Sequence, residues 1–384
     1  MSSENSISFK IFNQTDHLPQ KWNDLATGNI FLSSAYLKIL EQSAPKNMIC
    51  HFIGIFKDNE LVGISLSQFL DANQLKTFGD RDKCLKSYFR NFIFKNFASH
   101  VLFIGNNMLT GQNAFSFSDK IKIGEGLETL KKASEELKII FTNKGKKIHV
   151  TTFKDFDETE INLFPTESFD DFYQFSIQPN MVFNIDSRWK SEQDYVASFS
   201  KKYRDQYKRA RKKAIEIEKR KLNYEEIVAS ENIIYDLYFH VAQNAPFNTF
   251  FLSKNHFSNF KFILKDKFLF YGYFLNDQMI GFNTLIKNGN AMDTYFLGYD
   301  ESVQRDKMLY LNMLYDMIGY SINKGFKTIV FARTALEIKS SVGAKPEKMF
   351  GIMQHSNKII NWFLPKIFPF LEPNVVWQER NPFK

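Results

Sequence analysis

The side chains best suited to proton transfer lie in the last third of the chain. Glu337 and Lys339 follow a stretch, Lys327 to Arg333, that reads as a β-strand. A carboxylate where such a strand leads into a cleft can accept a proton from an amine. Lys339 or Arg333 beside it can hold a carboxylate or phosphate of a substrate. The same residues also fit a surface salt-bridge cluster. Asp293 and Tyr295 flank Thr294 at the start of a second predicted strand, Thr294 to Gly298, and side chains alternate along a strand, so the two share a face. An aspartate beside a tyrosine could orient an acceptor or protonate a leaving group; the competing reading is a core tyrosine with its hydroxyl satisfied. His240 and His256 have no partner at ligand spacing and receive no catalytic role. The sequence contains no Gly-x-Ser-x-Gly, Walker loop or His-Glu-x-x-His, which argues against serine hydrolase, P-loop and zincin chemistry.

The formal charge of the 384 residues is +8. Lys201 to Lys221 holds eleven basic residues against three acids, Asp205, Glu216 and Glu218, so this segment alone accounts for the whole excess. Pairing within the segment cannot neutralise it. The expectation is an anion opposite Arg204, Lys208, Arg211 and their neighbours: tRNA phosphates, a nucleotide diphosphate on a precursor, or anionic lipid headgroups. Tyr203 and Tyr207 share one predicted helix face and are placed to stack on a base or to sit at a membrane interface. A solvated helix face is the plainer alternative.

The elements that must position these residues occur twice. His51-Phe-Ile-Gly-Ile-Phe-Lys-Asp-Asn-Glu-Leu-Val-Gly63 and Leu269-Phe-Tyr-Gly-Tyr-Phe-Leu-Asn-Asp-Gln-Met-Ile-Gly281 share their glycine and phenylalanine spacing around an Asp/Asn turn, the pattern of a β-hairpin. Downstream, Asn143-Lys-Gly145 and Asn323-Lys-Gly325 each close an amphipathic helix. Leu127, Leu130, Leu137 and Phe141 line the first; Leu311, Leu314, Ile318 and Ile322 line the second. Gly145 and Gly325 fall where a helix end favours a left-handed residue, and a β-rich run follows each. One more apolar strand, Val101 to Gly105 or Thr294 to Gly298, lies between hairpin and helix. Each half therefore reads hairpin, strand, helix, strand, with the longer insertions, mainly Asp71 to Ser99, in the first. Matched segments in the same order point to duplication.

Two such modules in tandem, with a basic helical segment between the hairpins, resemble the Fem-like branch of the GNAT superfamily, whose enzymes transfer aminoacyl groups from tRNA onto peptidoglycan precursors. The resemblance rests on Phe199 to Lys213, on Phe268 to Ile286, and on Phe331-Ala-Arg-Thr-Ala-Leu-Glu-Ile-Lys-Ser-Ser-Val-Gly343, which looks like the Glu-x-Lys stretch after the penultimate strand. It implies an α/β (α+β) fold of two tandem GNAT-like modules, residues 1–180 and 181–384, each a mixed sheet flanked by helices. The second would include a basic helical segment over 190–221. Related GNAT proteins acylate long-chain amines. The implied donor is therefore an acyl thioester, on CoA or an acyl carrier protein, or an aminoacyl-tRNA.

GNAT enzymes using acyl-CoA carry a Gln/Arg-x-x-Gly-x-Gly/Ala loop whose backbone N–H groups hold the diphosphate at a helix N-terminus. In the second module the matching stretch is Gln304-Arg-Asp-Lys-Met-Leu309. It keeps Gln304, lacks both glycines, and leaves the charge to Arg305 and Lys307. In the first, Lys122-Ile-Gly-Glu-Gly126 offers Gly124 and Gly126, with Ile121 in the leading position; the same Gly-x-Gly fits a tight turn before a helix. Acyl transfer to an amine needs a neutral amine, donors for the tetrahedral oxyanion and a proton for the leaving group. Glu337, Lys339, Asp293 and Tyr295 are the residues the resemblance and the spacing offer for these tasks.

Composition sets the remaining bounds. Cys50 and Cys84 are the only cysteines, too few for a disulfide framework and outside any Cys/His cluster, so neither zinc nor another metal is expected. The polar N-terminus carries no secretory h-region and no run is long enough to span a bilayer, so the expected location is cytoplasmic or peripheral at the inner face of the membrane. Ile359 to Leu371 is apolar, aromatic and Pro-broken, fitting either an interfacial contact with a membrane or a terminal helix docked on the core. The functional expectation is an N-acyltransferase acting on an amine of a cell-envelope precursor or amino lipid. The alternatives are a tRNA-dependent aminoacyl transferase and a GNAT-shaped binding module without catalysis. No DNA partner is expected.

Overall fold

The computed structural model describes residues 6–74, 97, 99–245, 248–371 and 377–384; Cys84 and most of the insertion expected between Asp71 and Ser99 lie outside them. The strands, in chain order, are β1 (Ile7–Phe12), β2 (Met48–Lys57), β3 (Glu60–Asp71), β4 (His100–Ile104), β5 (Phe115–Phe117), β6 (Val150–Phe156) and β7 (Tyr173–Asn184). They continue as β8 (Glu218–Lys221), β9 (Phe268–Leu275), β10 (Gln278–Asn288), β11 (Ala291–Thr294), β12 (Gly298–Tyr299), β13 (Thr328–Ala332) and β14 (Lys345–His355). The chain forms two compact units. The first is Met1–Ile177 with Phe247–Ser253 and Lys348–Val375; the second is Gln178–Pro246 with Lys254–Glu347 and Val376–Lys384.

In the first unit the strands run β1-β2-β3-β4-β6-β14, every pair antiparallel except β4 with β6. In the second they run β8-β9-β10-β11-β13-β7, again with one parallel pair, β11 with β13. The two runs of strands have the same plan, and in each the last strand comes from outside the hairpin–strand–helix–strand run. Both hairpins close on left-handed Asx residues, Asp58 and Asn59 in one, Asn276 and Asp277 in the other; short polar side chains tolerate that region, which matches the twist of the flanking strands.

Helices Ile123–Asn143 and Leu309–Asn323 bury the expected leucine, isoleucine and phenylalanine stripes against their sheets. Gly145 and Gly325 both end their helices at φ +74, a conformation in which a side chain would be strained.

Two expected elements differ. The strand placed at Thr294 to Gly298 is instead Ala291–Thr294. Gly289, at φ +56, allows a two-residue turn that pairs Asn288 with Ala291, so the strand starts earlier and the chain leaves the sheet after Thr294. It returns at β12, where Gly298 lies so close to helix Glu231–Asn244 that an added Cβ would sit 2.5 Å from the backbone nitrogen of Tyr238. The basic segment over 190–221 is also not helical throughout. Helices Glu192–Ala197 and Lys201–Lys213 are followed by β8, a charged edge strand on β9. There Lys219 lies 4.6 Å over the Tyr271 ring and Arg220 4.5 Å over that of Phe274, so the sheet gains both charge protection at its edge and cation–π contacts.

Candidate functional site

In the second unit β11 and β13 pair in parallel only from Ala291–Thr328 to Asp293–Val330. Beyond that point β13 bulges, its register on β7 stepping from Val330–Val182 to Ala332–Met181. Ala332, Thr334 and Ala335 are all left-handed, at φ 58, 68 and 47. Each costs about 1–2 kcal/mol for a residue with a Cβ, so something must hold the turn. Lys339, buried on the short helix Leu336–Ser341, does so: its Nζ donates to the carbonyl oxygens of Phe331 (2.6 Å), Ala332 (3.2 Å) and Arg333 (2.6 Å). Burial pulls Lys339 down to about 7. The three acceptors act the other way, because a neutral amine has only two N–H groups and would orphan one carbonyl. Lys339 is therefore a positioning residue.

Asp293 closes the parallel pair. Met292 packs into the core, so Asp293 points to the opposite face. It is buried, its Oδ2 has no hydrogen-bond partner among the described residues, and burial pushes its carboxyl up to about 7. Burial likewise lowers Arg333 to about 10. Asp293 thus stands at the last paired position of β11, opposite Val330, and Arg333 and Lys339 belong to the turn that follows β13.

The first unit repeats the plan with different side chains. β4 and β6 pair in parallel from Val101–Val150 to Ile104–Phe153. Gly105 follows at φ +134, and β6 bulges at Asp155, φ 71. Here the opening holds a buried ion pair, Lys154 with Asp155. The Lys154 Nζ also donates to the Asn106 carbonyl at 3.3 Å, and Asn106 Nδ2 donates to the Tyr36 hydroxyl at 2.7 Å. These residues were missed from the sequence. Their signal, two adjacent opposite charges inside a β-rich run, was present in the repeat.

Neither a family model nor a curated protein matches the chain. Among solved structures, FemX superposes with a TM-score of 0.52 at 12% identity, covering 86% of this chain and 93% of FemX. A tandem GNAT protein from the clavulanic acid biosynthesis pathway, solved without AcCoA, gives 0.51 at 9%, covering 92% of this chain and 99% of that one. The chain has the tandem GNAT fold. At these identities the likeness is one of architecture, and the chemistry has to be argued from the residues.

Within this tandem GNAT fold the expected diphosphate loops differ between modules. Gly124 and Gly126 open helix Ile123–Asn143, but Gly126 is a packing glycine: a Cβ there would meet the Phe117 ring at 2.7 Å. The Glu125 carboxylate accepts the Lys122 N–H at 3.2 Å. A cavity of about 290 Å³ beside it is lined by Glu125 and Glu128 as well as Lys132. A carboxylate in the first turn repels the phosphates such a loop would hold, so this site does not fit a diphosphate. In the second module Gln304, Arg305 and Lys307 lie on helix Glu301–Lys307, which ends at left-handed Met308 before helix Leu309–Asn323 begins. Lys307 is paired with Glu216 at 2.5 Å, and Arg305 reaches Glu301 at 3.6 Å from an exposed position.

The remaining candidates divide. Glu337 is exposed and taken by Arg380, whose Nε donates to Oε1 at 3.0 Å, so it forms the surface ion pair and not a cleft base. Tyr295 lies beyond the strand end, with its hydroxyl 2.9 Å from His256 Nε2. Tyr203 is buried, and Tyr207 donates to Glu192 at 2.9 Å; neither is free to stack on a base. Arg211 is also committed inward, to Glu192 at 2.5 Å, Asp316 at 2.7 Å and Asn312 at 3.3 Å. Burial opposes its charge, but the carboxylates of Asp316 and Glu192 outweigh that and hold the guanidinium well above its ordinary value. The expectation that only an external anion could offset the segment therefore fails in part. Acids distant in sequence also meet Lys213 (Asp306), Lys219 (Asp316) and Arg220 (Asp277). Arg204 donates to the Phe199 carbonyl at 3.0 Å, and its buried Nε has no partner among the described residues. Lys201, Lys202, Lys208, Arg209 and Lys212 stay exposed, and no ion pair engages them among the described residues.

Proposed function

We propose that the protein is an N-acyltransferase that moves an acyl group from an activated ester or thioester to an amine of a cell-envelope precursor or amino lipid. The observation that carries this reading is the end of the β11–β13 pair. There a buried carboxylate, one oxygen of which has no hydrogen-bond partner among the described residues and which burial pushes up to about 7, sits where two parallel strands part. The amine nitrogen attacks the acyl carbonyl, a C–N bond forms and the donor's C–O or C–S bond breaks. Asp293 takes the proton the nitrogen loses, and that proton goes on to the departing alcohol or thiol. A base near pH 7 is matched to that transfer. Lys339 fixes the strand end beside it, and the exposed face Lys208, Arg209 and Lys212 offers charge to an anionic donor or acceptor.

The test supplies purified protein with acyl thioesters and long-chain or peptide amines, and follows free thiol together with the mass of the N-acyl product. Product formation that Asp293→Asn abolishes supports the reading. Absence of product across donor classes, or an unimpaired Asp293→Asn protein, overturns it. A second reading, aminoacyl transfer from tRNA, is favoured by that same unpaired basic face. Co-purified RNA with steep salt dependence, together with aminoacyl transfer, would select it.

A further inference from the structure

The helix Lys358–Leu371 belongs to the first unit and has two apolar faces. One is docked. Leu364 is buried, and Phe368 packs at 5.9 Å from Tyr173 and 4.9 Å from Phe175. Asn361 ties the same face down, donating from Nδ2 to the Asp171 carbonyl at 2.8 Å and accepting the His355 N–H at 2.7 Å. The start is capped by Asn357, whose Oδ1 accepts from the amides of Ile359 and Ile360 at 2.9 and 3.2 Å. The helix is therefore formed and anchored before it meets anything else.

The other face is open. Ile359 is 70% exposed, Trp362 69% and Phe363 37%; single exposed apolar side chains are ordinary on a protein surface, but three together on one helix face form a patch, which marks a contact surface. Lys358, Trp362 and Lys366 stand one turn apart along a single stripe, with Ile359 and Phe363 beside them. The Lys366 ammonium lies 5.3 Å over the Trp362 ring and 5.7 Å over that of Phe363, and both lysines are exposed. The helix contains no aspartate or glutamate.

We infer that this face is a docking surface for an anionic lipid bilayer, lying in the headgroup region without crossing it. Tryptophan and phenylalanine between lysines match the layered chemistry there: rings at the acyl boundary, ammonium groups among the phosphates. No helix among the described residues is long and apolar enough to span, so the contact is peripheral. The charge pattern selects lipid over a second copy of this chain, because a two-fold pairing of this face would bring lysines together with no acid to meet them. The inference does not rest on acyl transfer; a protein that loses this face should still acylate a soluble amine.

The test is co-sedimentation of the full chain with vesicles of phosphatidylcholine containing phosphatidylglycerol, against vesicles of phosphatidylcholine alone. The wild type should pellet with the anionic vesicles. Trp362→Ser with Phe363→Ser should weaken binding by about tenfold or more, and Lys358→Glu with Lys366→Glu should do the same. All four side chains are exposed, so thermal melts should match the wild type, which separates lost binding from lost folding. Wild-type protein that stays in the supernatant, or variants that pellet equally, overturns the inference. So does a wild-type dimer that the serine variant converts to monomer, since a second copy would then be the occupant.

Discussion

Replacing Arg211 by methionine separates a substrate anchor from a structural strut. The guanidinium makes two short charge-assisted bonds, to Glu192 and Asp316, with a weaker one to Asn312, and lies 5.2 Å from the Tyr207 ring and 5.7 Å from that of Tyr315. Its loss leaves two carboxylates facing each other in a partly buried site. Among the described residues Asp316 retains Lys219, at 3.6 Å, and the Tyr273 hydroxyl, at 2.9 Å. Breaking a fully buried pair costs about 3–5 kcal/mol; partial exposure here brings the expected loss to roughly 2–4 kcal/mol. Urea unfolding measures it directly, and a double-mutant cycle with Asp316→Asn should return a coupling of about 1–3 kcal/mol. Arg211→Lys should recover only part, because an ammonium cannot bridge both carboxylates in a fork. A loss below about 0.5 kcal/mol, typical of a surface change, would refute the strut and return Arg211 to the substrate.

The other expected outcomes are these. Asp293 binds its proton more tightly folded than unfolded, its pKa rising from 3.8 to about 7; its contribution to stability should therefore fall as pH rises through that window, by at most about 4 kcal/mol, so the stability difference between Asp293→Asn and the wild type should shift toward the variant as pH rises. Melting curves across that range check it, and the wild-type transfer rate should rise through the same window as Asp293 gives up its proton. Reversing Lys208, Arg209 and Lys212 to glutamate should shift stability by less than about 0.5 kcal/mol yet raise KM for an anionic substrate at low salt, an effect that added salt should mute. Lys154→Met should destabilise the first unit by about 3–5 kcal/mol by stranding the Asp155 carboxylate, and Lys154→Met with Asp155→Asn, which drops the charge and keeps a side chain suited to the left-handed backbone at 155, should restore part of that in the same unfolding assay.

Local chemistry in the sequence announced the elements. Asp58-Asn59 and Asn276-Asp277 marked the hairpins, Gly145 and Gly325 marked the helix ends, and the leucine stripes marked the buried faces. The turn after β13 left no such trace. Ala332, Thr334 and Ala335 are left-handed without being Gly, Asn or Asp, so composition could not reveal the strain, and Lys339 read as a ligand for substrate when it serves its own backbone. Arg211 was misjudged for another reason. Its partners are separated from it by up to 105 residues, and charge counted over a window cannot see acids brought in by tertiary folding. Gly124 and Gly126 show the converse: a Gly-x-Gly reads equally as room for phosphate or as a tight turn, and the missing Cβ of Gly126 is room for Phe117.

The two openings also suggest where chemistry should reside. Both modules end their parallel pair in a bulge and a left-handed residue, so the backbone device is common to them. What differs is the charge placed there. In the first, Lys154 and Asp155 are paired with each other in the core. In the second, the lysine is turned onto backbone carbonyls and Asp293 keeps an oxygen with no partner among the described residues. Burial then disfavours the anion without a cation to restore it, which is the condition for a carboxylate that gives and takes protons at physiological pH. The two modules thus share one strand geometry, and the residues filling it leave the second better suited to proton transfer and the first to holding its own unit together.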